Sequence, residues 1–166
     1  MEAILKRHSI RSFSSKPVDG ATVEKIMHAA MAAPSAMGSR PWHFIVISDR
    51  DKLNAMTEIH PYSQMLTQAQ CAILVCGDIE AESLPEFFQQ DCAAATENIL
   101  IAATDLGLGS VWVGLYPNEK YRRDFKELFQ LPDSIEPFAL VPLGLPNHPL
   151  QASDRFVASR VHANSW

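Results

Sequence analysis

Apolar positions recur at two spacings along this chain, and together they predict helices alternating with short strands. Glu2 to His8 reads as a short helix, and Ser9 to Val18 as a loop or extended segment containing Pro17. Asp19 is a natural cap for a helix starting at Gly20, in which Val23, Ile26, Met27, Ala30 and Met31 share one face and Pro34 imposes the stop. Ser35 to Pro41 is a loop of small and polar residues, and Trp42 to Ser48 a strand centred on Phe44-Ile45-Val46-Ile47. A short helix is expected from Arg50, and a second piece after Pro61. The unbroken apolar run Ala72 to Cys76 predicts a central strand covered on both faces. Ser83-Leu84-Pro85-Glu86 fits a capping box opening a long helix to about Leu106, with Ala95, Ile99, Ala102 and Leu106 on its buried stripe. Gly107 ends that helix. Ser110 to Leu115 reads as one strand, Asn118 as the cap of a helix carrying Tyr121, Phe125, Leu128 and Phe129, and Phe138 to Leu143 as a last strand. The tail from 144 to 166 has Pro146, Pro149 and little periodicity, which predicts an arm that packs on something, a second subunit included.

A length of 166 residues suits one domain, 1–166, without a separate cofactor domain. Apolar residues at 47% and charged residues at 20% are those of a folded globular chain, and no apolar run reaches the roughly 20 residues that span a bilayer. Arg7 and Arg11 interrupt any secretion-signal pattern at the N-terminus, so a cytoplasmic location and no membrane partner are expected. Cys71, Cys76 and Cys92 have no C-x-x-C spacing and read as buried small hydrophobes.

Charge is informative through its distribution. The net charge of −5 argues against a general nucleic-acid role. No Lys or Arg lies between Leu53 and Glu119, whereas Lys6, Arg7, Arg11 and Lys16 crowd the first segment and Arg155 and Arg160 lie near the end. Brought together, the termini would form a cationic site for a small anion such as a phosphate; left apart, these residues are solubilising charges.

Several kinds of chemistry have no support. The chain lacks H-E-x-x-H, a P-loop and a G-x-S-x-G elbow. Gly107-Leu108-Gly109 follows a helix and precedes a strand, the reverse of a dinucleotide-binding turn, and the third glycine is missing. Glu80 and Glu82 read as solvated surface rather than an acid-base pair. By contrast, Arg7-His8-Ser9-Ile10-Arg11 places four polar side chains in five residues. In an extended backbone Arg7, Ser9 and Arg11 share a face, and two guanidiniums with a hydroxyl make an anion clamp.

Four segments in order, RHSIRSF, APSAMGSRPWHF, GLGSVWVGLYP with LVPLGLPNHP, and the closing SRVHANSW, resemble the FMN-dependent nitroreductase family over nearly the whole chain. The resemblance implies an α+β fold with a mixed β-sheet flanked by helices, an intertwined homodimer, and FMN at the subunit interface. It assigns Arg7 and Ser9, with His8 beside them, to the FMN phosphate and ribityl chain, and Arg160 to the same phosphate. It places Arg11 near the flavin N1 and C2 carbonyl, where a fixed cation favours the reduced anion. Pro34, Ser35, Ala36 and Met37 would come from the partner subunit to line the ring, and Val113 and Gly114 would present backbone to the flavin N5. Arg40 stands where the family usually has Gln, Met37 and Gly38 where many members are polar, and the Lys-free stretch leaves Arg11 to act alone. The implied activity is ping-pong hydride transfer from NAD(P)H through FMN to a small-molecule electron acceptor such as a nitroaromatic or quinone, with no side-chain nucleophile. A flavin-binding or flavin-storage protein without turnover, and a specialised relative such as a dehalogenase or flavin-consuming enzyme, are the alternatives. Trp42 and Phe44 are assigned to the core, Trp112 to core or ring, His43 and His162 to structure, and Arg155 to the surface or the phosphate.

Overall fold

The apolar run at Ala72–Cys76 sits inside an eight-residue strand, Cys71–Asp78 (β2), and β2 sets the layering of the molecule. Its side chains alternate between two hydrophobic cores. Ile73 and Val75 enter one cluster and Ala72, Leu74 and Cys76 the other, so both faces are buried and no polar alternation is visible in the sequence. This is seen in a computed structural model that describes residues 1–81 and 84–166.

The remaining elements follow in chain order: helices Glu2–Lys6 (α1) and Gly20–Met31 (α2), strand Trp42–Ile47 (β1) and helix Arg50–Ile59 (α3) precede β2. Helix Phe88–Asp105 (α4), strands Gly109–Ser110 (β3) and Val113–Gly114 (β4), helix Glu119–Phe129 (α5) and strand Ile135–Gly144 (β5) follow it. The sheet runs β1-β2-β5-β3, with β4 also on β5. All of these ladders are antiparallel, and the parallel component of the sheet is a single bridge between Ser9 and Ser110. Ile26 and Ala30 of α2 and Ala95, Ile99 and Ala103 of α4 cover one face; Leu53 and Met56 of α3 and Phe125 of α5 cover the other. The fold is thus α+β, with helices on both sides of one sheet.

The predicted caps are in place. The Asp19 carboxylate accepts the Thr22 N–H at 2.8 Å, and the Asn118 side-chain oxygen accepts the Tyr121 N–H at 3.0 Å. Three expectations need correction. The first helix stops at Lys6 rather than His8. The stripe of α4 is Cys92, Ala95, Thr96, Ile99, Leu100 and Ala103, with Ala102 only half-buried and Leu106 exposed, because α4 packs against both α2 and the sheet. The single strand expected at Ser110–Leu115 is two two-residue pieces. Continuing the β3 register puts Pro142 opposite Val111, and Pro142 has no N–H to give that edge. The proposed capping Ser83 lies outside the described residues.

After β5 the chain runs to Trp166 with one short turn, Ala158–Arg160. The Ser153 N–H donates to the Leu5 carbonyl at 3.1 Å, so this arm crosses the N-terminal helix of its own chain. Beyond that point Phe156, Val161 and Trp166 are exposed.

Candidate functional site

The N-terminal segment is fixed by two residues that press on glycines. A Cβ on Gly109 would lie 2.7 Å from Ile10 Cγ2, and one on Gly144 would lie 2.9 Å from the Phe13 ring. Only glycine admits Ile10 and Phe13 this closely. The Ile10 N–H donates to the Ser110 carbonyl at 2.9 Å. With Ile10 and Phe13 turned inward, Arg11 and Ser12 between them are left exposed.

Arg11 enters a cavity of about 440 Å³, lined also by His60, Tyr62, Trp112, Val113, Gly114 and Tyr121. The volume lies within the usual range of small-molecule sites. Arg11, Val113 and Gly114, assigned to one ring from distant parts of the sequence, therefore line one cavity. A Cβ on Gly114 would meet nothing within 4 Å, so its backbone faces open space. Among the described residues Arg11 has no ion-pair partner, which leaves its guanidinium available to an anionic or carbonyl oxygen.

The other predicted residues are distributed around this cavity. Ser9 and Arg11 line a second, smaller hollow of about 150 Å³ together with Ile10, Ser12 and Pro146–Pro149. Arg7 does not join them: it follows α1 and pairs with Glu97 of α4 at 3.6 Å. His8 lines a neighbouring groove with Ile10 and His148, and its Nδ1 donates to the Lys6 carbonyl at 2.8 Å. The termini do meet, but through Arg155, whose guanidinium donates to the Arg7 carbonyl at 3.3 Å. Arg160 sits exposed in the Ala158–Arg160 turn.

Pro34, Ser35, Ala36, Met37 and Arg40 lie on the loop between α2 and β1 and do not line the Arg11 cavity of their own chain. The loop is held rigidly. Both carboxylate oxygens of Asp91, a buried residue of α4, accept the Ala36 N–H at 3.0 and 3.1 Å, and Ser35 Oγ accepts the Arg40 N–H at 2.9 Å. Met37 (φ 50°) and Arg40 (φ 52°) adopt left-handed backbone without being glycine, at a cost of about 1–2 kcal/mol each. Met37 is 83% exposed, an apolar side chain displayed on a strained loop.

Trp42 is buried and Phe44 packs against the same core, as assigned; Trp112 is half-buried, edge-on to Phe138, and reaches the cavity as well. His162 stacks on Trp166 at 4.3 Å between ring centres, and His43 is exposed. Sequence reasoning missed His60, Tyr62 and Tyr121. The sequence pattern puts Tyr121 on an apolar helix face; in the structure it lines the cavity, its ring centre 4.3 Å from that of His60. Burial holds the His60 pKa below the ordinary value, partly opposed by its bonds to backbone carbonyls. Among the described residues no group of His, Cys, Asp and Glu is arranged to hold a metal ion, and no helix is long and apolar enough to cross a membrane.

Comparison with known proteins gives this arrangement a family. A protein of Archaeoglobus fulgidus, provisionally named NADH dehydrogenase/NAD(P)H nitroreductase, is 44% identical, covering 100% of this chain and 98% of its own. A crystal structure from Clostridium acetobutylicum, provisionally described as an NADH oxidase, superposes with a TM-score of 0.96 at 39% identity, over 99% of both chains. An FMN-dependent nitroreductase from Clostridium difficile superposes with a TM-score of 0.91 at 27% identity, over the full length of both. The model of the nitroreductase family matches residues 4–63 and 55–145, and the chain belongs to that family.

Proposed function

We propose that this protein is an FMN-dependent oxidoreductase that passes hydride from NAD(P)H to nitroaromatic, quinone or similar flat acceptors by a ping-pong mechanism. The observation that carries the reading is that Arg11, without an ion-pair partner among the described residues, lines the same cavity as the open backbone of Gly114. A flavin needs both features: a cation beside the ring edge where negative charge accumulates, and a backbone without a side chain where the ring is approached. When bound, FMN supplies the centre that accepts and releases hydride. The chain's own work is then to bind, orient and polarise, which agrees with the absence of a nucleophile or acid-base pair.

Arg11 would hold positive charge at the N1 and C2 side of the ring, and Val113 and Gly114 would present backbone to N5. Ser9 and His8, with Arg7 and Arg160, are proposed to hold the phosphate and ribityl chain. For Arg7 this requires leaving its 3.6 Å contact with Glu97, a weak pair between partly exposed groups. The loop Pro34–Met37, and the end of the arm beyond its contacts with Leu5 and Arg7 of its own chain, are proposed to come from a second copy in a homodimer. The exposed Met37, Phe156, Val161 and Trp166 favour this, since large exposed apolar groups of this kind mark interaction surfaces.

The test is anaerobic. Purified protein loaded with FMN should be yellow, should bleach on addition of NADH or NADPH, and should regain colour with a nitroaromatic or quinone. A yellow protein that neither nucleotide bleaches would instead be a flavin carrier, and a protein that takes up no FMN would refute the reading. Sedimentation should give twice the mass of the chain.

A further inference from the structure

His60 occupies an unusual position for a histidine outside any predicted motif. It follows the last residue of α3, it is only 4% exposed, and its ring lies between two backbone groups. Its Nε2 is 3.1 Å from the Gly114 carbonyl, and its Nδ1 is 3.2 Å from the Tyr62 N–H. These contacts fix the proton. A carbonyl only accepts, so Nε2 must carry the hydrogen; a backbone N–H only donates, so Nδ1 must be bare. The ring is held further by Tyr121. Its own backbone is tied down as well, since the His60 N–H donates to the Met56 carbonyl and the His60 carbonyl accepts from Ser63 Oγ at 2.7 Å. Gly114, by contrast, lies in a two-residue strand between the buried Val113 and Leu115 and has no side chain of its own to fix its peptide. The His60 ring therefore bonds the one carbonyl of this stretch that borders the cavity without side-chain packing beside it.

We propose that His60 is a positioning residue of this site: as the neutral Nε2–H tautomer it holds the Gly114 carbonyl, and so sets the direction of the Val113–Gly114 backbone, while its Nδ1 anchors Tyr62 as the outer wall. The inference rests on the flavin reading above. His60 acts through Gly114 and Tyr62 and exchanges no proton with a substrate. Protonation at Nδ1 would set two N–H groups against each other and release Tyr62, so the wall is intact only with the neutral ring. The charged or titratable side chains that share the cavity are Arg11, Tyr62 and Tyr121, and no carboxylate is among them.

The two contacts can be separated by substitution. A Gln side chain places its amide nitrogen where Nε2 is, and an Asn side chain places its oxygen where Nδ1 is. His60→Gln can keep the Gly114 bond while losing Tyr62; His60→Asn can keep Tyr62 while losing Gly114. With FMN bound, His60→Asn should lower kcat by roughly tenfold, as expected for one lost hydrogen bond at a positioned group, and should shift the flavin midpoint potential. His60→Gln should restore most of kcat and the wild-type potential, while raising KM for flat acceptors through the loosened Tyr62 wall. Nitrogen NMR of the histidine rings in cofactor-free wild-type protein needs no variant and should report the Nε2–H tautomer at neutral pH. An Nδ1–H tautomer or an imidazolium there overturns the proposal, as does a His60→Asn variant indistinguishable from His60→Gln in kcat and potential. If wild-type protein binds no FMN, the flavin reading falls and this role with it; if it binds FMN and the two variants behave alike, only this role falls.

Discussion

Gly109→Ala offers the sharpest test of how the site is anchored. The new Cβ would lie 2.7 Å from Ile10 Cγ2 and 2.9 Å from Ile10 Cβ, whereas carbons pack comfortably at about 3.5–4.0 Å. Rotating the side chain cannot relieve this, because Ile10 Cβ is fixed to the backbone and β-branching leaves few rotamers. The Ser9–Arg11 backbone must therefore lift from β3, stretching the 2.9 Å bond from the Ile10 N–H to the Ser110 carbonyl. Overpacking of this kind costs about 1–3 kcal/mol. Arg11 is the next residue, and a displacement of about 1 Å at a positioned group can cost up to 100-fold in rate. Urea denaturation should show the loss of stability, and FMN titration by flavin fluorescence should show weaker binding. Ile10→Gly supplies the control, because it removes both offending carbons, Cβ and Cγ2, along with Ile10's own packing. In a double-mutant cycle Gly109→Ala should be much less harmful in the Ile10→Gly background, with a coupling energy of about 1–2 kcal/mol. A coupling within about 0.5 kcal/mol of zero, the usual error of additivity, would refute the claim that this glycine exists to admit Ile10.

Three further outcomes follow from named contacts. Because burial lowers the His60 pKa, the unfolded chain binds a proton at His60 that the folded chain refuses; stability should fall as pH drops below about 6.5 and should be flat above it, and this part of the urea-midpoint profile should vanish in His60→Gln. Glu136 is buried and paired with Arg122 at 2.6 Å and Lys126 at 2.5 Å, so Glu136→Gln should cost about 2 kcal/mol by denaturation with little change in FMN binding, since the cluster lines a different cleft. Burial pushes the Cys71 and Cys76 thiols up to about 11 and about 12, so neither should react with a thiol reagent at neutral pH until the protein is unfolded, as counted by absorbance or mass.

What could be read in the chain was what local chemistry decides. Asp19 and Asn118 announce their helices because a cap acts within three residues. The run Ala72–Cys76 announces a doubly buried strand because both of its faces need apolar side chains. The break between β3 and β4 could not be read this way. Val111, Val113 and Leu115 alternate as a strand should, and the interruption comes from Pro142, some thirty residues away, on the strand opposite. The α4 stripe drifted for a similar reason: which side of an alanine-rich helix is buried depends on the two layers it meets, and Ala95, Ala102 and Ala103 look alike until those layers are placed.

The same distinction separates the two halves of the site. Arg11, Val113 and Gly114 could be named from the sequence because the resemblance that assigns them rests on motifs that survive as short strings, and the three line one cavity. His60 has no such string. Nothing in Glu58-Ile59-His60-Pro61 says that the ring reaches a carbonyl 54 residues further on, and its value depends on which of its nitrogens carries a proton. Residues that touch a ligand can be chosen one at a time, whereas a residue that holds another residue in place is defined by distance and direction alone. The carbonyl that His60 grips belongs to the glycine whose freedom from a side chain opens the cavity. A backbone made bare enough to approach a ring is also bare of packing on that side, so its direction has to be imposed from elsewhere. In the arrangement we propose that constraint comes from the end of α3, which owes its own position to Leu53 and Met56 in the core. The approach surface and its support are therefore specified by different segments, and the site has its shape only once the whole sheet has closed.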